Sequence, residues 1–299
     1  MTKPDWIAVD WGTTHLRAYA IGPEGVIARA ASDDGMGSLS ADGFEPALIR
    51  LIDPWLAGDR TVPVVACGMV GSRQGWIEAP YREVPCAPLD MQSLVPVQTA
   101  DQRISVRVIP GLRQTSPADV MRGEETQIAG ALMLDPRFSG VLCLPGTHSK
   151  WVHVSAGEVV SFQTYMTGEL FALLSGQSVL RHGIGKGWDE PAFLGAVADT
   201  MSDPHKFAGR LFALRAEGLL AGLSPDAARA RLSGLLIGIE LAAARAYWMG
   251  QDVAIIGTDR LAENYVLALQ AQGVRPRALP AEACTIAGLA AAQHKEEVR

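Results

Sequence analysis

Trp6-Ile7-Ala8-Val9-Asp10-Trp11-Gly12-Thr13-Thr14-His15-Leu16-Arg17 is an apolar run that ends on an acid, turns through Gly-Thr-Thr and continues into a run carrying a basic residue. The pattern returns at Val141-Leu142-Cys143-Leu144-Pro145-Gly146-Thr147-His148-Ser149-Lys150. A Gly-Thr turn between strands exposes backbone N–H groups and hydroxyls, the donors that cradle phosphate oxygens. Two such turns at equivalent places in two half-chains predict two facing loops that hold one polyphosphate. That points to a nucleotide-using enzyme.

Outward from the first turn, strand-like runs cover about 6–10, 15–21 and 25–31, followed by a helix over about 41–57, a strand over about 62–67 and another over about 104–109. Ser116-Pro117-Ala118-Asp119 reads as a helix start, and the helix runs through Met121, Glu125, Ile128, Ala129 and Leu132 to stop before Asp135-Pro136. Around the second turn, strands are expected at about 140–145, 149–154 and 158–165, with a helical stretch from Gly168. Short helices and loops fill about 181–226; beyond them come a long helix Ala227 to Met249, a strand Asp252 to Ile256, and helices over 259–272 and 281–293. Both halves therefore run strand, hairpin, strand, strand, helix, which predicts a duplicated α/β unit with a cleft between the copies. We place the domains at 1–116 and 117–299, with the closing helix packed back on the first.

Composition narrows the class. At 299 residues the chain exceeds one ordinary core. A net charge of −6 and 19% charged residues argue against nucleic acid as a partner. No apolar run is long enough to span a bilayer, and Met1-Thr2-Lys3-Pro4-Asp5 lacks the apolar segment of a signal peptide. Cys67, Cys86, Cys143 and Cys284 are far apart, which suits buried free thiols in a reducing cytoplasm, and the six histidines have no zinc-ligand spacing. A homodimer is compatible with the sequence.

Several segments carry candidate chemistry, each beside a plainer reading. Asp10 can hold a hydrated Mg²⁺, with Gly12, Thr13, Thr14 and Arg17 around phosphate; a Thr-rich hairpin with a capping Asp fits the same residues. Gly146, Thr147, His148 and Lys150 repeat the donor set. Gly257-Thr258-Asp259-Arg260-Leu261 is a strand end opening a helix, suited to a flat ring or phosphate, or simply a tight turn. Glu124 and Glu125 follow Arg122, itself a candidate substrate contact; Glu125, either buried beside a partner or exposed to a cleft, suits a general base, and an ion pair with Arg122 or a nearby basic group is its structural alternative. Ser72, Arg73 and Trp76 sit in a glycine-punctuated loop before Arg82, where an Arg could meet a carboxylate and the Trp a sugar face, unless it is an ordinary surface loop. Thr167 and Glu169 open a helix, as hydroxyl and carboxylate contacts or as a plain cap.

In this order the segments resemble the superfamily of sugar kinases, actin and heat-shock chaperones. Asp10-x-Gly12-Thr13-Thr14-x-x-Arg17 resembles its first phosphate motif, Gly146-Thr147 its second, Gly257-Thr258 its adenosine motif, and Glu124-Glu125 the catalytic glutamate segment of the exopolyphosphatase branch. Gly68-Met69-Val70-Gly71-Ser72, Gly75-Trp76, Met121-Arg122-Gly123-Glu124-Glu125-Thr126-Gln127, Pro145-Gly146-Thr147-His148, Thr167-Gly168-Glu169-Leu170 and Ser233-Gly234-Leu235-Leu236-Ile237-Gly238 are together similar to the 2-dehydro-3-deoxygalactonokinase family. The resemblance spans essentially the whole chain. It implies two actin-like, ribonuclease H-like domains, each a mixed sheet with flanking helices, around a central nucleotide cleft. It also implies ATP and Mg²⁺ as cofactors and phosphorylation of the 6-hydroxyl of 2-dehydro-3-deoxy-D-galactonate in galactonate breakdown. The superfamily's second loop carries an Asp before its Gly, and Pro145 is read as standing in that place. Asp10 then organises the metal, with Glu124 or Glu125 serving either metal or base. Two rivals keep the fold: a phosphohydrolase in which Glu125 activates water, and a non-enzymatic nucleotide switch.

Overall fold

Residues 3–56, 60–257 and 259–294 are described by the computed structural model. β1 (Trp6–Trp11) is buried almost end to end because both of its faces are covered, which its unbroken apolar run already suggests. It pairs antiparallel with β2 (Leu16–Gly22), which pairs with β3 (Gly25–Ser32). α1 (Phe44–Ile52) buries Phe44, Ala47, Leu48 and Ile52, one face of a helix, and carries the chain over to β4 (Val62–Gly68), parallel to β1. β5 (Arg82–Glu83), β6 (Val95–Val97) and β7 (Ile104–Val108) follow, and the main sheet has the order β3-β2-β1-β4-β7-β6. β8 (Leu112–Gln114) and β9 (Asp119–Met121) join β5 in a small second sheet, and α2 (Glu124–Leu134) closes this part.

The pattern then restarts with β10 (Gly140–Leu144), β11 (Ser149–Ser155) and β12 (Glu158–Tyr165). α3 (Thr167–Gly176), α4 (Glu190–Ser202), α5 (Phe207–Leu220), α6 (Pro225–Ala243) and α7 (Arg245–Trp248) come next, followed by β13 (Val253–Ile256), α8 (Arg260–Ala271), β14 (Arg277–Leu279) and α9 (Ala281–His294). The sheet order β12-β11-β10-β13-β14 repeats β3-β2-β1-β4-β7 in kind: an antiparallel hairpin on the first strand, and a parallel partner on its other side. The copies differ in their crossovers. One helix precedes β4, whereas five precede β13.

The chain divides into two compact units, Met1–Phe138 with Ser155–Ser161 and Ala281–Arg299, and Ser139–Val154 with Phe162–Pro280. The expected boundary at 116/117 therefore lies inside the first unit. The reason is α2, which packs on α9 so closely that a Cβ on Gly130 would meet the Cys284 carbonyl oxygen at 1.7 Å. The expected helix start at Ser116 is also corrected: 115–118 turns the β8–β9 hairpin, with Leu112 opposite Met121 and Gln114 opposite Asp119, and the helix begins at Glu124 behind Gly123. The long helix expected over 227–249 is α6, started by Ser224, whose hydroxyl accepts from the Ala227 N–H at 3.2 Å, and a separate α7. All four cysteines are free, but Cys86 is only half-buried because its strand-like segment bridges to Val159 at a sheet edge. Among the described residues no helix is long and apolar enough to cross a membrane.

Candidate active site

In the first unit the ends of β1 and β4 and the start of α2 enclose a cavity of about 160 Å³, lined by Asp10, Gly12, Gly68, Arg122, Gly123 and Glu124 together with Gln127 and Thr285. Gly68 and Gly123 have φ of 92° and 102°, backbone that L side chains rarely adopt, and a Cβ on Gly123 would come within 3.2 Å of the Gly68 Cα. Two glycine turns pressed together thus form the cavity floor. Asp10 sits opposite Arg17 in the β1–β2 register, and Arg17 Nη1 donates to its Oδ2 at 3.2 Å. Burial raises the Asp10 pKa, Arg17 opposes this, and the nearby Glu124 charge adds to it. Thr13 and Thr14 are exposed on the turn, whose carbonyls are tied to the next loop by the Met36 N–H to Gly12 O and Gly37 N–H to Thr13 O.

The two glutamates divide their work. Glu124 lines the cavity and accepts from the Arg122 backbone N–H at 3.0 Å. Glu125 is fully buried; it accepts from the Gly123 N–H at 2.7 Å and the Thr126 hydroxyl at 3.0 Å, bracing the start of α2. Burial, then the Glu124 charge, pushes its pKa up to about 8. The Arg122 ion pair of the structural alternative is not among these partners. Arg73 is exposed and Arg82 donates to the Ala87 carbonyl, so neither lines the cavity. Trp76 packs beside Trp11 and Phe44, with ring centroids 6.2 and 6.5 Å away. Ser72 is buried.

In the second unit Pro145, Gly146, Thr147, Thr167, Gly168 and Leu261 border a larger cavity of about 590 Å³. Gly168 has no Cβ because one would sit 2.3 Å from the Gly146 carbonyl oxygen, so the α3 N-terminus lies directly on the loop. His148 Nε2 pairs with Glu169 Oε2 at 2.6 Å, and the Glu169 N–H donates to Thr147 O at 3.0 Å. Lys150 is buried, with Nζ on the His148 carbonyl at 3.2 Å. Strand register corrects the placing of Pro145: Asp10 faces Arg17 as Leu144 faces Lys150, so an apolar Leu144 stands in the acid's place and Pro145 corresponds to Trp11. Gly257 borders a neighbouring cavity of about 450 Å³, and Thr258 lies outside the described residues.

Residues that pattern reading passed over complete this cavity. Lys186, Trp188, Arg229 and Asn264 line it beside Arg260 of the Gly257–Leu261 string; Arg260 lies 4.9 Å above the Trp188 ring, and the buried Trp188 Nε1 and Asn264 Oδ1 have no hydrogen-bond partner among the described residues. The Gly185-Lys186-Gly187-Trp188 string ahead of a helix cap was the available signal. Behind the loop, Glu240 accepts from Trp151 Nε1 at 2.7 Å, Tyr265 OH at 2.7 Å and the Thr167 hydroxyl, while Ser149 bonds Tyr265 at 2.8 Å. Thr167 thus spends its hydroxyl on α6.

Burial pushes the Glu240 pKa up to about 7 from an ordinary 4.5. Between those values the folded chain keeps a proton that the unfolded chain has released, so stability falls as pH rises through this window. We expect Glu240→Gln to remove that dependence. Thermal unfolding between about pH 5 and about pH 8 should show the wild type losing stability relative to the variant, and parallel profiles would contradict the assignment.

Among the described residues no group of three or more His, Cys, Asp or Glu side chains could hold a metal ion. Two carboxylates on one small cavity, where the Glu124 charge adds to the raised proton affinity of Asp10, do fit a cation that keeps most of its waters, as Mg²⁺ does.

A family model described as 2-keto-3-deoxy-galactonokinase matches residues 10–292. A curated protein of Rhizobium meliloti (strain 1021), named probable 2-dehydro-3-deoxygalactonokinase, is 39% identical over 298 residues, 96% of each chain. The 2-dehydro-3-deoxygalactonokinase of Escherichia coli (strain K12) is 33% identical over 293 residues, 97% of each chain. The crystal structure of a Sinorhizobium meliloti protein assigned the same activity is similar with a TM-score of 0.91 at 38% identity, covering 98% of this chain and 100% of that one. The activator of 2-hydroxyisocaproyl-CoA dehydratase from Clostridium difficile, solved with bound ADPNP, has a TM-score of 0.51 at 10% identity over 98% of each chain, a likeness of fold alone. That fold agrees with the expectation of two actin-like mixed-sheet units.

Proposed function

This chain belongs to the 2-keto-3-deoxy-galactonokinase family, and from that premise we propose that it transfers the γ-phosphoryl group of ATP to the 6-hydroxyl of 2-dehydro-3-deoxy-D-galactonate, a step of galactonate breakdown. The observation that carries the reading is the match to curated sugar-acid kinases along nearly the full chain. The chain is a carbohydrate kinase that uses ATP.

We assign the nucleotide to the second unit. The Gly146–Thr147 turn and the α3 N-terminus offer backbone N–H groups to phosphate, and Lys186, Arg229 and Arg260 supply positive charge on the same cavity. The unpartnered Asn264 Oδ1 suits the exocyclic amine of a purine, and the Trp188 ring offers a face. Gly257 belongs to the flank of this region.

The first unit carries the acceptor chemistry in this reading. Asp10, with Glu124 beside it, would hold Mg²⁺, and the bound metal supplies charge neutralisation to the transferring phosphoryl oxygens. Glu124 is the better placed carboxylate to accept or orient the hydroxyl proton, because it reaches the cavity while Glu125 is sealed off and holds the α2 N-terminus in place. Thr13, Thr14 and Arg17 supply donors at the first turn, and His148 and Lys150 those of the second. The four free cysteines support a cytoplasmic location.

ADP release is the direct test. We expect it to depend on the keto-deoxy sugar acid, rising at least ~100-fold over ATP alone. Equal release with and without any sugar acid would favour the phosphohydrolase reading instead.

A further inference from the structure

The first-unit cavity is lined by two carboxylates and a single cation, Arg122. Its guanidinium is held rigidly: Nη2 donates to the Ala79 carbonyl at 2.7 Å, and the group lies 4.3 Å above the Tyr81 ring. Gly71 makes room for it, since a Cβ there would sit 2.8 Å from Nη1. Yet Nε and Nη1 are buried and have no acceptor among the described residues, and Arg122 forms no ion pair with any of them. Glu124, its neighbour on the cavity, bonds the Arg122 backbone rather than its head group. The hydroxyl of Ser72, next to Gly71 and only 6% exposed, is likewise buried without a hydrogen-bond partner among the described residues.

Buried donors left unpaired are costly, most of all on a charged group, and native chains satisfy nearly all of them. An orphaned, pre-positioned guanidinium beside a cavity is therefore best explained by a ligand acceptor. A polyphosphate is disfavoured at Arg122, because among the described residues no second cationic residue lines this cavity to balance a multiply charged anion. A monoanionic, planar carboxylate matches the fork geometry.

We propose that Arg122 is the receptor for the carboxylate of the sugar acid, with the Ser72 hydroxyl as an accessory donor, so that this pair makes the enzyme select acids over neutral sugars. The proposal rests on the kinase reading above. In it Arg122 orients the substrate from the end opposite the reacting hydroxyl and takes no part in the chemical step.

The test compares 2-dehydro-3-deoxy-D-galactonate with its C1 carboxamide, in the wild type, Arg122→Met and Ser72→Ala. The wild type should prefer the acid by ~100-fold in kcat/KM. Arg122→Met should lose about that factor for the acid, mainly through KM, while turnover of the amide stays within ~3-fold and the KM for ATP is unchanged. Ser72→Ala, which removes only a hydroxyl, should lose about tenfold for the acid alone. Equal losses on acid and amide, or a raised KM for ATP in Arg122→Met, would overturn the proposal. If Arg122→Met fails to fold, the wild-type comparison and Ser72→Ala still decide: acid turned over no better than amide overturns the carboxylate receptor alone. No turnover of the acid by the wild type overturns the kinase reading, and the receptor with it.

Discussion

Asp10→Asn should lower kcat by about 10²–10³-fold while leaving the protein at least as stable as the wild type. The two halves of this result have one cause. Asp10 is the penultimate residue of β1, its backbone fixed between Arg17 on β2 and Cys67 on β4 and its side chain only partly exposed. Burial raises its pKa and Glu124 adds to the rise, against the pull of Arg17. A raised carboxylate pKa means that the folded state holds the proton more tightly than the unfolded state. Stability then declines as pH rises from the ordinary carboxylate range through the raised value, and at neutral pH the ionised group is a net burden. Asn keeps the shape and removes that burden, but it also removes the charge that a hydrated Mg²⁺ needs. Kinetics over a Mg²⁺ series should show a weaker metal dependence that excess Mg²⁺ does not restore, with melting temperatures unchanged or raised. Near-normal turnover would discard the metal assignment, and a large fall in melting temperature would show that the Arg17 pair outweighs burial.

The parts of this fold that could be read from the chain are those written in short-range pattern. β1, β2, β10 and β11 declare themselves as apolar runs flanking a Gly-Thr turn, and their register brings Asp10 opposite Arg17 as the sequence spacing implies. The helix start at 116 misled because Ser-Pro-x-Asp satisfies cap chemistry equally well in a hairpin turn; the β8–β9 pairing that decides between them depends on a strand partner, β5, some thirty residues earlier. Pro145 was also misplaced. It adjoins its glycine, whereas Asp10 stands two residues before Gly12; that spacing and the cross-strand partners Arg17 and Lys150 both make Leu144 the equivalent of Asp10. The larger cavity of the second unit was legible only in part: Gly146, Thr147, Thr167 and Leu261 stand in readable strings, while its other side chains come from loops and helices scattered between Pro145 and Asn264. Glu240 is the extreme case. Nothing near it in sequence announces that one carboxylate gathers Trp151, Thr167 and Tyr265 from three elements.

The second large effect is on the fold. Ala replaces Gly inside a helix with a gain of about 0.5–1 kcal/mol where nothing else changes, since Gly loses more backbone freedom on folding. Gly130→Ala should do the opposite and destabilise by about 3 kcal/mol or more. Its Cβ would lie 1.7 Å from the Cys284 carbonyl oxygen, and on the facing helix a Cβ at Gly288 would lie 1.9 Å from that of Thr126. Both obstacles are backbone, so no rotamer change relieves them and α2 and α9 must separate. Separation strips cover from Leu289 and Ala292, which α9 buries against Trp6, Ala8 and Val65 on the far side of the main sheet. It also breaks the Gln127–Thr285 hydrogen bond of 3.2 Å, two residues that line the Asp10 cavity, so activity should fall with stability. Gly195→Ala is the control: that glycine is exposed on α4 with nothing within 4 Å of a Cβ, and the substitution should stabilise. Denaturant unfolding of both variants decides the point, because equal and favourable shifts would mean that α2 and α9 tolerate a wider separation than their backbone contact allows.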